Sequence, residues 1–263
     1  MSLVFSAITP HSPILIHSIG KDDFQYLKKT IVAFSVLEDE IYVARPQTII
    51  ILSFSEHILN NAFSINLSPK YKSNFKNFGE YSIEKEFIND VGFTHHIREK
   101  FEGKIPVKLF SEENLNYEAS VPLHYLTEHL KDISIIPIIS SGLDIQCHFN
   151  FGQNLKDLIL SSNKRIAIIA SIDLAECEAK GSPDKSAEKG SQLNKKITHL
   201  IKSNNSKGIL RIKEEIIKDT GLNDFSALLM LLGVMDGINY KPEILSYEFP
   251  FGIGYLTANL KLG

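Results

Sequence analysis

Tryptophan is absent from this chain of 263 residues, so its aromatic surfaces are built from 16 Phe and 9 Tyr. Cysteine is almost absent. Cys147 and Cys177 cannot form a disulfide framework, and without a Cys-x-x-Cys pair there is no thiolate zinc site. No apolar run reaches the roughly 18 residues that a membrane span needs. The opening MSLVFSAITPHSPILIHSIG has no basic leader region and holds proline and histidine inside its apolar stretch. It reads as a buried first strand with its loop rather than a signal peptide, and the expectation is a cytoplasmic protein without a membrane partner. An excess of one charge is missing too. Lys and Arg number 28 against 31 Asp and Glu, a net charge of −3, and the basic residues are scattered, which argues against a nucleic-acid surface. GxGxxG, Walker A, GxSxG and HExxH do not occur, which removes the corresponding dinucleotide, P-loop, elbow-hydrolase and zincin chemistries.

What is present is the composition of an ordinary globular protein, 43% hydrophobic and 22% charged, long enough for a large core. Short β-branched runs alternate with helical patterns. Strands are expected at 3–8, 48–54, 62–67, 105–110, 133–140, 165–171, 242–249 and 254–262. TIIILSF, ISIIPIIS and RIAIIAS are almost continuously apolar, as central strands covered on both faces are, although Pro137 interrupts the second. Helices are expected at 23–44, opened by Asp22 or Asp23, and at 83–101, 122–131, 149–162, 186–203, 207–218 and 223–236. The polar stretches 68–80 and 177–192 read as loops. With no repeat and no linker, this is one α/β domain over residues 1–263, a mostly parallel, mixed central sheet with helices on both faces.

Ionisable residues collect where these strands end, which is where α/β sheets place ligands. Thr9-Pro10-His11-Ser12-Pro13 holds a histidine in a proline-stiffened loop, either as a metal ligand or as a loop cap. Glu56 and His57 follow TIIILSF, and Asn116-Tyr117-Glu118 precedes Pro122. Asp173 and Glu176 leave RIAIIAS; they could share one cleft, or Asp173 could accept backbone hydrogen bonds with Glu176 in solvent. Glu248, among aromatics and ahead of two glycines, needs a partner if buried. His95-His96 lies on a polar helix face, and His124 and His129 do not share a helical face.

These motifs, ITPHSPI, NAFSINLSP, FGEY, VPLHYL, IIPIISSGL, IAIIASIDLAE and ILSYEFPFGIGYL, resemble in order those of the class III extradiol ring-cleavage dioxygenases. That superfamily includes the protocatechuate 4,5-dioxygenase beta chain and plant DOPA dioxygenase, and the likeness is to its Memo-related prokaryotic branch. It covers almost the whole chain. The resemblance implies one non-haem Fe(II) held by two histidines and a glutamate, with open positions for substrate and dioxygen. His11 then matches the first iron histidine and Glu248 the iron glutamate. The second iron histidine falls at Ser55, a poor ligand, and the two acid–base histidines fall at Tyr117 and Glu176, while Asp173 remains. His57 could replace Ser55 as the third metal ligand. Glu176 could serve as a carboxylate ligand or general base, Tyr117 as a hydrogen-bond donor. An oxygen-rich set of His11, Glu176 and Glu248 would favour Mn or Mg over zinc, and no metal at all is the alternative. Two functions follow from the resemblance: a metal-dependent, dioxygenase-like oxidoreductase acting on a small aromatic or other small molecule, or an inactive binding or assembly protein of Memo type. A homodimer is implied by the same likeness.

Overall fold

The apolar runs pair edge to edge in the computed structural model, which describes residues 2–55, 58–176 and 185–263, with backbone alone at 185–187. The strands are β1 (Leu3–Thr9), β2 (Thr48–Ser53), β3 (Phe63–Asn66), β4 (Lys70–Phe75), β5 (Glu80–Asn89), β6 (Val107–Phe110), β7 (Ser134–Ile139), β8 (Ile166–Ser171), β9 (Leu174–Glu176), β10 (Tyr240–Glu248) and β11 (Ile253–Leu262). The helices are α1 (His17–Gly20), α2 (Lys28–Ala44), α3 (Val91–Phe101), α4 (Tyr117–Leu126), α5 (Ile145–Ser161), α6 (Lys185–Lys202), α7 (Ser206–Leu210), α8 (Glu214–Asp219) and α9 (Phe225–Met235). The sheet runs β10-β11-β1-β8-β2-β7-β3-β6, with the β4–β5 hairpin attached to β7 and β9 attached to β11. Its centre, β1-β8-β2-β7, is parallel; β11 joins β1 and β3 joins β7 antiparallel, so the sheet is mixed.

Alternation along the central strands explains the two-sided core. Leu3 and Ile8 of β1, Ile50 and Leu52 of β2, and Ile166 and Ile168 of β8 face α3, α5, α6 and α9. Phe5 and Ala7, Ile49 and Ile51, and Ala167 and Ile169 face α2 and α4. Both faces of these strands are covered, which is why they read as continuous apolar runs rather than as alternating ones. Helices α5 and α9 touch backbone to backbone through Gly152 and Gly233: a Cβ on Gly152 would fall 2.0 Å from the Met230 carbonyl oxygen. Among the described residues no helix is long and apolar enough to cross a membrane.

Several element boundaries differ from those expected, each for a physical reason. Residues 83–101 are not one helix. Glu80–Asn89 is a strand, and α3 begins only after Asp90, whose side chain accepts the Phe93 N–H. The lysines and glutamates of this segment suit a helix, but pairing with β4 overrides a weak local preference. β4 itself lies in the stretch 68–80 read as a loop, with Tyr71, Ser73 and Phe75 alternating inward. The loop expected at 177–192 gives way to α6 from Lys185, and 177–184 lies outside the described residues. The expected helix 207–218 is two short ones, α7 and α8.

The first long helix begins at Lys28, not at Asp22 or Asp23, which sit in a 3-10 turn over Lys21–Leu27. Its first-turn N–H at Thr30 is satisfied from far away in sequence, by Glu248. Helix α4 spans Tyr117–Leu126 rather than 122–131, and Pro122 sits inside it. A proline there has no N–H for the carbonyl four residues back, which is that of Glu118. Similarly α5 begins at Ile145, earlier than the expected 149, because Asp144 caps it through the Cys147 N–H.

Candidate functional site

Parallel β1 and β8 end side by side, Thr9 opposite Ser171, and each delivers a functional side chain within two residues of its end. His11 follows β1 and is only 5% exposed. Asp173 follows β8, and its Oδ1 accepts the backbone N–H of His11 at 3.0 Å. The Asp173 N–H in turn donates to Oδ2 of Asp224, 2.9 Å away at the start of α9. Three segments distant in sequence are thereby tied around one imidazole.

The orientation of that imidazole follows from Pro122. The Glu118 carbonyl, released from the α4 ladder, accepts the hydroxyl proton of Ser171. With its proton committed there, the Ser171 oxygen acts as acceptor at 3.1 Å from His11 Nδ1. His11 therefore carries hydrogen on Nδ1, and Nε2 is the nitrogen directed at the carboxylates, 3.6 Å from Asp224 Oδ2 and 3.9 Å from Asp173 Oδ2. The ring of Tyr117 stands edge-on to His11 with centroids 5.7 Å apart. Together with Phe54, Glu118 and Asp224 these residues line a cavity of about 210 Å³, and the exposed Glu176 lies on its wall.

Electrostatics split the titrating groups. Burial pulls the His11 pKa down, but Asp173, Asp224, Glu118 and the Ser171 hydrogen bond more than compensate, so it lies above the usual 6.5. Burial drives the Asp173 carboxyl up, against the opposing charge of His11. Asp224 is pushed up to about 6 by burial, partly offset by His11 and reinforced by Asp173. Carboxyl groups and an imidazole whose pKa values are all raised from the ordinary in one cavity are the raw material of proton transfer.

The site residues expected from the sequence are thus divided. His11, Tyr117, Asp173 and Glu176 line one cavity, and Asp173 does accept a backbone N–H. Glu248 does not line it: its Oε2 accepts the N–H and the hydroxyl of Thr30 at 2.8 and 2.9 Å, which caps α2. Ser55 lines two neighbouring cavities instead, and His57 lies outside the described residues. Among the described residues no group of three or more His, Cys, Asp or Glu side chains is disposed to hold a metal ion. The donor set among the described residues does not complete a site for Fe(II) or Mn. The His11 ring is engaged by Ser171 at Nδ1 and faces two carboxylates at Nε2, and the Glu248 oxygen that serves α2 already accepts two hydrogen bonds.

Asp224, Ser171 and the Glu118 carbonyl went unnoticed in the sequence. Asp224 stands where a residue would cap the very apolar helix α9, and that is the only local signal. It makes no such cap, because its carboxylate turns to Asp173 instead. The signal for Ser171 and Glu118 was Pro122, four residues past Glu118, whose consequence shows only when β8 is laid beside α4.

Comparison with known proteins gives three findings. A family model described as the catalytic LigB subunit of aromatic ring-opening dioxygenase matches residues 6–258. Protein CA_C1420 of Clostridium acetobutylicum is 26% identical over 272 residues, covering 99% of this chain but 58% of that protein, so the chain spans little more than half of that relative's length. The crystal structure of the uncharacterized protein JW3007 from Escherichia coli K12 superposes with a TM-score of 0.67 at 16% identity, over 98% of this chain and 99% of the other, which shows a common fold.

Proposed function

This chain belongs to the LigB family, catalytic subunits of aromatic ring-opening dioxygenases, and on that premise we propose that it works without the family's ring-cleaving iron, as a proton-transfer site for a small polar molecule. The observation that carries this reading is the commitment of both candidate iron ligands to protein partners: Glu248 to Thr30, and His11 to Ser171, Asp173 and Asp224.

In this reading the Nδ1–H of His11 is locked on Ser171, and Nε2–H is the proton donor facing the cavity. Asp224, with a carboxyl near 6, is the acceptor, ionised at neutral pH yet close enough to balance to take a proton. Asp173 holds both partners by its backbone N–H and its carboxylate. Glu176 lies exposed on the wall, and the Tyr117 ring shapes the entrance. A molecule held in the cavity against both Nε2 and Asp224 gains a proton at one atom and loses one at another.

The second reading, a binding or assembly protein without turnover, is favoured by Ser55, Tyr117 and Glu176 standing where the extradiol pattern has histidines. A metal-dependent oxidoreductase would need His57 or Glu176 to complete a set with His11 and Glu248. Cytoplasmic location and a homodimer accompany these readings as proposals, the dimer open to sedimentation analysis.

The test is metal analysis after anaerobic loading with Fe(II), Mn(II) or Zn(II) and desalting, on the wild type, Glu248→Ala and His57→Ala. The expected result is far less than one ion per chain in all three. One ion per chain that disappears in Glu248→Ala would restore the iron-dependent reading and sink this one.

A further inference from the structure

We propose that the chain has a second ligand site, separate from the His11 cavity, that takes a small organic acid, a carboxylate on a compact hydrocarbon body. A cavity of about 410 Å³ opens beside Ser55 and shares no lining residue with the cavity around His11. Much of its wall is apolar, with Leu109, Leu115, Pro137 and Ile139 facing inward.

Its polar centre is Asn116. This residue occupies the position before α4 where an asparagine ordinarily turns its side-chain oxygen onto an N–H of the first turn. Asn116 makes no such bond. Among the described residues its Nδ2 is instead buried without a hydrogen-bond partner, on a residue that lines this cavity. Buried amide donors are nearly always paired, so a side chain that gives up its helix and keeps an orphan N–H at a cavity wall is arranged for an acceptor that arrives with a ligand.

Charge selects the class of acceptor. Lys108, exposed on the same wall, supplies a cation. The carboxylate on that wall, Glu112, is turned to its own loop, where its Oε1 accepts the N–H and Nδ2–H of Asn114 at 3.0 and 3.4 Å. A ligand carboxylate placed between Asn116 and Lys108 meets an N–H and an ammonium, while its hydrocarbon body lies against Leu115, Pro137 and Ile139. A neutral amide would satisfy Asn116 but not Lys108, and an amine would satisfy neither.

The experiment is calorimetric titration of the full chain with cyclohexanecarboxylate, cyclohexanecarboxamide and cyclohexylamine. The acid should bind, the amide at least about tenfold more weakly, and the amine not measurably. Asn116→Asp removes the donor but retains a residue able to cap α4, so acid affinity should fall at least about tenfold with no loss of thermal stability. Lys108→Ala, at an exposed position, should weaken the acid and leave the amide unchanged. His11→Gln should leave all three titrations unchanged. No binding of the acid, equal binding of acid and amine, or undiminished acid affinity in both Asn116→Asp and Lys108→Ala would overturn the proposal.

Discussion

Replacing Thr30 by valine removes one hydroxyl from a fully buried position (0% exposed) and leaves the shape almost unchanged. That hydroxyl donates to Glu248 Oε2 at 2.9 Å, beside the Thr30 N–H at 2.8 Å on the same oxygen. A hydrogen bond to a charged acceptor contributes about 1.5–3 kcal/mol. Glu248 is only half-buried, so water competes for its carboxylate and the low end applies. Thr30→Val should therefore cost about 1–1.5 kcal/mol, or roughly 2–5 °C in Tm for a chain of this size. Glu248→Ala removes the acceptor from both donors and a negative charge from the start of α2. The orphaned N–H and O–H together should cost about 2–4 kcal/mol. Added to Glu248→Ala, Thr30→Val should cost no more than about 0.5 kcal/mol, a coupling of about 1 kcal/mol in the double-mutant cycle. Urea unfolding followed by circular dichroism measures all four proteins. A Glu248→Ala variant within about 0.5 kcal/mol of wild type would refute the argument that this carboxylate serves the helix.

The remaining predictions concern titration. Asp224→Asn keeps an acceptor for the Asp173 N–H but removes the charge 3.6 Å from His11 Nε2, so the His11 pKa followed by NMR should fall; an unchanged value would show that the imidazole does not feel this carboxylate. Since Asp224 rises from 3.8 to about 6 on folding, its contribution to stability is full below 3.8 and is lost as pH climbs through about 6, up to roughly 3 kcal/mol. Relative to Asp224→Asn, the wild type should thus lose stability between pH 4 and pH 7, and parallel urea midpoints across that range would contradict it. Asp90 behaves oppositely. Burial alone would raise its pKa, but bonds from Lys164 at 2.6 and 2.7 Å, Thr48 at 2.6 Å and the Phe93 N–H at 3.1 Å lower it overall. Its contribution is present above 3.8 and is lost as pH falls through the lowered folded value. Asp90→Asn should cost about 2–3 kcal/mol at pH 7, and the cost should shrink progressively as pH falls below 3.8, read by thermal unfolding across that range.

Strands β1, β2, β7 and β8 were legible because a strand buried on both faces has no choice but to be apolar throughout, and Pro137 did not prevent β7 from pairing with β2. Hairpin β4–β5 was not legible. Only its inward residues, such as Tyr71 and Phe87, carry the signal, and the intervening lysines and glutamates imitate a helix. His11 and Asp173 were legible only as residues at strand ends and as motif positions of the resemblance; that β1 and β8 are neighbours shows only in the sheet. Asp224 was not legible, since nothing in the residues of a helix start tells which way a carboxylate turns.

By itself the sequence determined the layered α/β plan, the family, and the crowding of ionisable residues at strand ends, all of which follow from local periodicity and local motifs. Tertiary structure alone decided what those residues do. It sent Glu248 to Thr30, 218 positions away, and it brought Asp224 to within 3.6 Å of His11. It also made the carbonyl freed by Pro122 hold Ser171, and through Ser171 the His11 ring. The reason is range. Burial periodicity is written within a few neighbouring residues, whereas a hydrogen bond is satisfied by whichever partner the folded chain places within about 3 Å, however distant in sequence.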